Sequence, residues 1–491
     1  MTHLNTALHD QGHATTRRQN LLILMSDEHQ ARALGCAGHP FIKTPNLDRL
    51  AARGTRFTNA YTPSPICVPA RASFATGRYA HETRLWDNAM PYTGAPPGWG
   101  HALQACGVPV ESIGKLHYRA QSDPNGFDAE HIPMMVAGGV GMVWASIRGE
   151  DDRVISKGRM LGDHIGAGTS KYTDYDAAVT GRTCDWLRDH AETPAPWCLY
   201  VGLVAPHFPL IVPQEFLDLY PLDQMPKAKL HPRDGHPRHP WIEKQNAFMD
   251  NEGQFRSETE RLTAMATYFG LCSWMDHNVG RILDQLEALG MDQQTTVIYT
   301  SDHGDNVGAR GLWGKSNFYR ESVQIPMIAA GAEFAPGVCE TPVSLLDLSA
   351  GIAAHFGTSI DASDGVQPLQ QIAAAPSDPD RPVFSEYHAA GAVSGGFMLV
   401  QGRWKYHHYV GFPPELFDLQ TDPEELTDLA GDPAHRGILD HMNAALRARI
   451  DPDAVNAQAF ADQAALIQSH GGREAALKLG APGATPPPKT A

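Results

Sequence analysis

Short apolar segments recur along this chain, and the three clearest are soon followed by carboxylate or imidazole side chains. The segments are residues 20–25, 196–203 and 296–300, and the polar residues that follow them are Asp27, His207, Asp302 and His303. Continuous apolar runs of this length are typical of strands buried on both faces in a parallel sheet. The carboxyl ends of such strands carry the active site in doubly wound α/β proteins. The pattern therefore predicts an α/β fold with a doubly wound, mostly parallel central sheet and a polar site at one edge.

The segments between these runs carry other periodicities. Residues 44–54 predict a helix that Asn46 caps and Gly54 ends, and residues 257–290 predict a long amphipathic helix. Residues 55–61 alternate between polar and apolar side chains, which is typical of a half-buried strand. Strands and helices thus alternate along the chain, as a doubly wound sheet requires.

Changes in composition divide the chain. We expect a mobile leader over residues 1–19 and a catalytic domain over residues 20–382. Residues 383–450 predict a smaller C-terminal α+β subdomain on an antiparallel sheet. Residues 451–491 predict a helical tail whose Pro-rich end, APGATPPPKTA, we expect to be frayed. The tail helices could dock on a neighbouring subunit, so we expect a homo-oligomer, a dimer or tetramer.

The composition narrows the function classes. The chain has 491 residues, a net charge of -16 and a pI near 5.8, which argues against a general binder of nucleic acid. Its seven cysteines are odd in number and include no C-x-x-C pair, which argues against a disulfide framework or a zinc knuckle. The N-terminus lacks an apolar h-region, and no run of about 18 apolar residues occurs. We therefore expect a cytoplasmic protein without a membrane segment.

The pentapeptide Cys67-Val68-Pro69-Ala70-Arg71 is the most informative motif. A cysteine beside proline is often only a small buried hydrophobe, so the motif needs support from the rest of the chain. Its C-x-P-x-R spacing resembles the signature that a formylglycine-generating enzyme reads in type I sulfatases. This resemblance implies that Cys67 is oxidised to 3-oxoalanine (formylglycine), whose hydrate is the nucleophile.

Further segments resemble the same family in the same order. A G-K-x-H segment contains Lys115 and His117, a P-H-x-P segment contains His207, and the segment GLWGK ends at Lys315. Asn88 stands where choline-sulfatase-like and phosphonate-monoester-hydrolase-like members place an anion-contacting Asn. Several separated motifs in order are far more specific than any one of them. From about residue 20 to residue 430, the chain resembles the type I sulfatases of the alkaline phosphatase superfamily.

The resemblance implies a role for each motif residue. The residues that bind one divalent cation, Ca²⁺ or Mn²⁺, are Asp27, the modified Cys67, Asp302 and His303. Arg71 holds the hydrate, whereas Lys115 and Asn88 contact the sulfate oxygens. His207 and Lys315 act on the departing oxygen, and His117 removes a proton from the second hydroxyl of the hydrate. Glu28 stands where many members have a second Asp ligand, and whether Glu28 coordinates the cation stays open.

The function expected from these residues is hydrolysis of an aryl or alkyl sulfate monoester to sulfate and an alcohol. A phosphonate monoester hydrolase or phosphodiesterase with the same nucleophile is the alternative, and a non-catalytic scaffold is a third. Lys115 together with His117 favours the sulfatase, since phosphonate hydrolases tend to have hydroxyl-bearing residues there. Trp144, Tyr172 and Trp241 could form an aromatic wall for the ester, or could simply pack loops.

Overall fold

The computed structural model of the chain describes residues 19–149, 154–155, 159–480 and 484–489. The leader predicted over residues 1–19 lies outside the described residues except for Gln19. Parts of the predicted tail, residues 481–483 and 490–491, also lie outside them.

Strands and helices alternate through the first two thirds of the described chain. The strands are β1 (Asn20–Asp27), β2 (Thr55–Phe57), β3 (Ala60–Tyr61), β4 (Val110–Lys115), β5 (Ala129–Met134), β6 (Ile165–Ala167), β7 (Cys198–Pro206), β8 (Leu210–Val212), β9 (Thr295–Ser301), β10 (Met327–Ala330), β11 (Gly337–Cys339), β12 (Val343–Ser344), β13 (Val383–Tyr387), β14 (Gly396–Gln401), β15 (Trp404–Tyr409) and β16 (Glu415–Asp418). The helices are α1 (Pro45–Ala52), α2 (Cys67–Thr76), α3 (Ala80–Thr83), α4 (Trp99–Ala105), α5 (Met160–Asp163), α6 (Lys171–Asp189), α7 (Gln214–Leu217), α8 (Pro240–Asn246), α9 (Glu258–Ala288), α10 (Arg320–Val323), α11 (Leu345–His355), α12 (Leu369–Ala374), α13 (Arg436–Arg449), α14 (Pro452–Ser469) and α15 (Arg473–Ala476).

The central sheet has eight strands in the order β11-β2-β10-β9-β1-β7-β4-β5. The five strands from β9 to β5 run parallel to one another, whereas β10 pairs antiparallel with both β9 and β2. This arrangement confirms the predicted α/β fold with a mostly parallel central sheet.

Strand β1 shows why the central strands are apolar at every position. Leu22 and Leu24 face a core that α6 and α9 cover. Leu21, Ile23 and Met25 face a second core, which α2, α4 and α11 cover. Both faces of the strand are therefore removed from water, so its sequence reads as a continuous apolar run.

The C-terminal part of the chain forms a separate sheet of four antiparallel strands, β13-β14-β15-β16. Helix α13 covers one face of this sheet, where Met442 and Leu446 pack with Leu399 and Leu416. The predicted antiparallel sheet is thus confirmed. The domain boundaries predicted at residues 382 and 450 stay predictions.

Two local predictions were wrong. Asn46 does not cap α1: Thr44 precedes the helix and Pro45 is its first residue, a position for which the fixed φ of proline is well suited. Asn46 instead donates its side-chain amide to Asp276 Oδ2 on α9, at 2.9 Å. The strand predicted over residues 55–61 is two short strands, β2 and β3, in different sheets.

Within the described chain, no helix combines the length and the apolar character that a bilayer crossing requires.

A buried ion pair connects β15 to the loop that follows the small sheet. Lys405 Nζ donates to Glu425 Oε1 at 2.5 Å, and both side chains are almost fully buried. Burial opposes ionisation of Glu425, but the cations of Lys405 and Arg310 lower its pKa to about 2. Glu425 also accepts the backbone N–H of Arg320, at 3.0 Å. The pair therefore ties the small sheet to the loops beside the central sheet.

We predict that Glu425→Gln destabilises the protein by about 3–5 kcal/mol, because it leaves the Lys405 ammonium buried without its counter-charge. Chemical denaturation followed by circular dichroism measures this change. The double variant Lys405→Met/Glu425→Gln is the matched control: it removes the stranded cation and should recover part of the loss. Equal stability of Glu425→Gln and the wild type would contradict the prediction.

Candidate active site

The site begins where β1 and β9 end. These strands pair in parallel with Ser26 opposite Ser301, so the next residues, Asp27 and Asp302, leave the sheet side by side. His303 follows directly, and none of these three functional side chains is exposed. The parallel register thus brings together residues that are more than two hundred positions apart in the sequence.

Helix α2 adds a fourth group, because Cys67 is its first residue. Cys67 Sγ lies 3.2 Å from His303 Nε2 and 3.6 Å from Asp27 Oδ1. One donor atom from each of Asp27, Cys67, Asp302 and His303 lies within 4.8 Å of the others, and all four residues are buried. We call these four residues the ligand group. They are the residues that the sequence predicted to bind a cation.

The spacing of C-x-P-x-R has a structural cause. Cys67 and Arg71 are four residues apart, so they share one face of α2. Arg71 Nε donates to Asp302 Oδ2 at 2.8 Å, and Arg71 Nη2 donates to Asp27 Oδ2 at 3.2 Å. Arg71 Nη1 donates to the Lys115 carbonyl at 3.0 Å and to the Tyr200 hydroxyl at 2.9 Å, and Nη2 also donates to the Ser26 carbonyl at 3.5 Å. The guanidinium therefore bridges the two carboxylates of the ligand group.

Two lysines approach the ligand group from opposite directions. Lys115, the last residue of β4, places Nζ 2.5 Å from Asp27 Oδ2. Lys315 places Nζ 3.2 Å from Cys67 Sγ and 3.2 Å from Glu28 Oε2. Asp305 supports the backbone next to Lys315, because its Oδ1 accepts the backbone N–H of Gly314 at 3.0 Å. The site thus concentrates positive charge around a buried pair of carboxylates.

This charge distribution decides which groups ionise. Burial opposes ionisation of Asp27, but the cations of Lys115, Lys315 and Arg71 outweigh it and hold the pKa well below its usual value. Burial and the neighbouring Asp27 carboxylate raise the pKa of the Cys67 thiol to about 11. An unmodified Cys67 therefore stays a neutral thiol near pH 7, and a neutral thiol is a poor nucleophile.

The two predicted catalytic histidines both lie at this site as neutral rings. Burial, with the cations of Lys115 and Arg71, lowers the pKa of His117 well below its usual value, and burial with Lys315 does the same for His207. His207 Nδ1 donates to the carbonyl of Phe208 at 2.6 Å, which leaves Nε2 facing the site. His117 has a backbone φ of 60°, a left-handed conformation that non-glycine residues rarely adopt and that recurs at functional sites.

Glu28 lies beside the ligand group rather than within it. Its Oε2 is 3.4 Å from His207 Nε2, and it forms a second possible cation group with Asp27 and His207. Burial raises the pKa of Glu28 to about 8, although Lys315 opposes the shift. The geometry thus places Glu28 against His207.

A pocket with a cavity of about 130 Å³ opens over Cys67, Lys115, His117, His207 and Lys315. Asn88 also lines it: its Oδ1 accepts the backbone N–H of Val68 at 3.2 Å, which orients the side-chain amide nitrogen. Pocket residues that no sequence motif identified include Val136, Met142, Leu161, Gln245, Asn246, Phe248, Met249, Asn251, Ala484 and Thr485. Only their spatial position identifies them.

The three candidate aromatic residues behave differently. Tyr172 lines the pocket. Trp144 does not itself line the pocket; its ring stacks on Phe248, which does, with ring centroids 5.6 Å apart. Trp241 is fully buried and stacks on Tyr409, with ring centroids 4.7 Å apart, in agreement with the packing alternative.

Comparison with known proteins agrees with the site. The family model described as Sulfatase matches residues 19–358. The chain is 32% identical over 446 residues to a choline-sulfatase of Rhizobium meliloti (strain 1021), covering 87% of this chain and 85% of that protein. It is 28% identical over 451 residues to arylsulfatase K of Rattus norvegicus, covering 84% of this chain and 74% of that protein.

A solved structure shares the fold. The phosphonate monoester hydrolase of Agrobacterium radiobacter has a TM-score of 0.72 with 22% identity, covering 90% of this chain and 96% of that one. The family match includes β1 to α11, and therefore every residue of the ligand group. The resemblance drawn from the sequence motifs is thereby confirmed. The chain belongs to the sulfatase family, sulfuric ester hydrolases of the alkaline phosphatase superfamily.

Proposed function

We propose that this sulfatase hydrolyses a small aryl or alkyl sulfate monoester, and that residue 67, as formylglycine, provides the nucleophile. The observation that carries the proposal is the ligand group itself: two carboxylates, an imidazole and residue 67 meet within 4.8 Å. Lys115 and Lys315 flank this group and supply the positive charge that a sulfate ester needs.

We further propose that the ligand group binds one divalent cation, Ca²⁺ or Mn²⁺. Carboxylate oxygens suit hard cations, and an imidazole donor is compatible with Mn²⁺. The donor atoms are buried and mutually close, which supports a pre-formed site. A bound cation would supply Lewis-acid chemistry, lowering the pKa of an oxygen ligand and withdrawing charge from the ester.

A formylglycine-generating enzyme is the proposed maturation partner. Cys67 begins the C-x-P-x-R motif, and its thiol is held neutral by burial, which supports conversion rather than use as a thiol. Its Sγ stands for the oxygen that a hydrated formylglycine would present. The hydrate would supply two hydroxyls on one carbon, one to attack sulfur and one to allow sulfate release.

The remaining residues take roles that follow from their contacts. Arg71 donates hydrogen bonds to Asp27 and Asp302. We therefore propose that Arg71 positions these carboxylates and does not contact the hydrate directly. Lys115 and Asn88 bind the ester oxygens. Burial opposes the positive charge of Lys315, but the neighbouring Cys67 and the carboxylates raise its pKa well above its usual value. Lys315 therefore stays charged and stabilises the negative charge on the departing oxygen, and we assign His207 to the same leaving-group side of the site.

His117 accepts a proton in the half of the reaction that releases sulfate. Its ring is neutral near pH 7, as a general base must be. Its backbone N–H donates to the Met134 carbonyl at 2.8 Å, which fixes the start of the loop after β4. The backbone of His117 is thus attached to β5, the neighbouring strand of the sheet.

A phosphonate monoester is the second candidate substrate, and turnover of both classes by one site is expected because both anions are tetrahedral. The fold shared with a phosphonate monoester hydrolase supports this alternative.

We also propose that the protein is a cytoplasmic homo-oligomer. The composition of the chain and the exposed helices of its tail support this proposal.

Conversion of Cys67 is tested by mass spectrometry of the tryptic peptide that contains it. We predict that protein made with a formylglycine-generating enzyme has lost the thiol and gained an aldehyde. Cys67→Ala should lower kcat at least about 10³-fold, because the nucleophile is lost. Cys106→Ala, the same change at an exposed cysteine, is the control and should keep full activity. Full activity with an intact Cys67 thiol would rule out the proposed nucleophile.

Metal content is measured by inductively coupled plasma mass spectrometry after dialysis. We predict about one Ca²⁺ or Mn²⁺ per wild-type chain and well under half of that in Asp302→Asn, because an amide is a weaker ligand than a carboxylate. The control is Asp284→Asn, which removes an exposed carboxylate on α9. Unchanged metal content in Asp302→Asn would contradict the proposed ligand group.

Substrate class is tested by initial rates on one preparation with an aryl sulfate, choline sulfate and an aryl phosphonate monoester. We predict that kcat/KM for the better sulfate exceeds that for the phosphonate on the order of tenfold or more. The pairing of Lys115 with His117 is the reason for this preference. A higher kcat/KM for the phosphonate would favour the alternative function instead.

A further inference from the structure

The Pro-rich end of the chain, expected to be frayed, instead enters the catalytic pocket. Thr485 Oγ1 lies 2.7 Å from His117 Nε2, and the Tyr172 hydroxyl donates to the Thr485 carbonyl at 2.5 Å. Ala484 and Thr485 both line the pocket, and Ala484 packs against the core that α6 and α9 cover. The segment 484–489 thus forms part of the pocket wall.

The contact with Thr485 involves one of the two nitrogens of the proposed base. A neutral imidazole carries its proton on one nitrogen and leaves the other free to accept. His117 Nδ1 is buried and has no hydrogen-bond partner among the described residues. Nε2 is therefore the nitrogen through which a neighbour can select the tautomer.

We propose that Thr485 is a positioning residue that holds the His117 proton on Nε2 and so keeps Nδ1 free to act as the base. In this arrangement the Nε2–H donates to the Thr485 hydroxyl oxygen, and Tyr172 holds the threonine backbone in place. The inference rests on the proposed function, because it needs His117 as the group that accepts a proton.

The same segment closes the pocket without filling it. A cavity of about 130 Å³ remains beside Cys67 and the two lysines while Thr485 contacts His117. Gly480, just before the segment, lies against Gly141, where an added Cβ would come within 1.7 Å of the Gly141 carbonyl oxygen. This close approach holds Gly480 next to Gly141, which lines the pocket.

The kinetics can distinguish a positioning role of Thr485 from a general loss of structure. His117 acts after the alcohol has left, when sulfate is released. A displaced tautomer therefore slows the second half of the reaction and leaves the first half intact. The expected signature is a burst of alcohol followed by slow turnover, with kcat and KM lowered together and kcat/KM preserved.

The test compares Thr485→Val with Thr485→Ser in the full-length, formylglycine-containing enzyme. Valine has nearly the shape of threonine but no hydroxyl, whereas serine keeps the hydroxyl. We expect Thr485→Val to lower kcat on the order of 10-fold, the low end for loss of a group that orients a functional imidazole. Rapid mixing with an aryl sulfate should show a burst approaching one alcohol per active site. Thr485→Ser should stay within about twofold of the wild type, since its hydroxyl makes the same bond.

Three outcomes would overturn the inference while leaving the proposed function intact. Thr485→Val could match the wild type, could lower kcat/KM without a burst, or could turn over faster, which would make the segment an inhibitory plug. A wild type that cleaves neither sulfate nor phosphonate esters would instead overturn the proposed function.

A second measurement does not depend on activity. Diethyl pyrocarbonate acylates accessible, unprotonated imidazole nitrogens, and peptide mapping reports each histidine separately. In protein that keeps the Cys67 thiol, we expect His117 to react severalfold faster in Thr485→Val than in the wild type or in Thr485→Ser. The partly exposed His435 is the internal reference. Equal His117 rates in all three proteins would count against the contact.

Discussion

The buried guanidinium of Arg71 is the interaction on which the catalytic site depends. Asp27 and Asp302 leave adjacent strands side by side, and neither is exposed to water. Two carboxylates this close and this deeply buried repel each other and lose their hydration, at a cost of several kcal/mol for each ion. Arg71 offsets that cost with one charge-assisted hydrogen bond to each of them. Despite burial, Arg71 together with Lys115 and Lys315 therefore holds the pKa of the Asp27 carboxyl well below its usual value.

The same charge balance organises the rest of the site. Lys115 lies against Asp27 and Lys315 lies against residue 67, so the pocket floor is cationic while the ligand group itself is anionic. The two histidines are neutral because burial and these lysines disfavour a further positive charge. A neutral imidazole can accept a proton, which a histidinium cannot do. The electrostatics thus place cationic, anionic and neutral side chains next to one another within one small volume.

Much of this site could be predicted because its residues are attached to strands and to a helix. Asp27, Asp302 and His303 follow apolar runs, and the carboxyl ends of parallel strands must share one edge of a sheet. Cys67 and Arg71 share a helix face because four residues separate them. For Trp241 the sequence left pocket lining and core packing both open, and the fold places it in the core. Asn246 and Phe248 were not identified individually, because they reach the pocket through tertiary packing that no local pattern encodes.

The sequence by itself determined the fold class, the family and the residues that gather around Cys67, because these depend on periodicity and on motif spacing. Only the tertiary structure decided how their charges are shared. In the folded protein, Arg71 binds the carboxylates, and Glu28 lies beside the ligand group. Thr485 contacts His117, although more than three hundred residues separate them in the sequence. Such contacts depend on where the loops and the end of the chain pack against the sheet. A Pro-rich run has no periodicity that would indicate its docking site, so its position follows only from the packed fold.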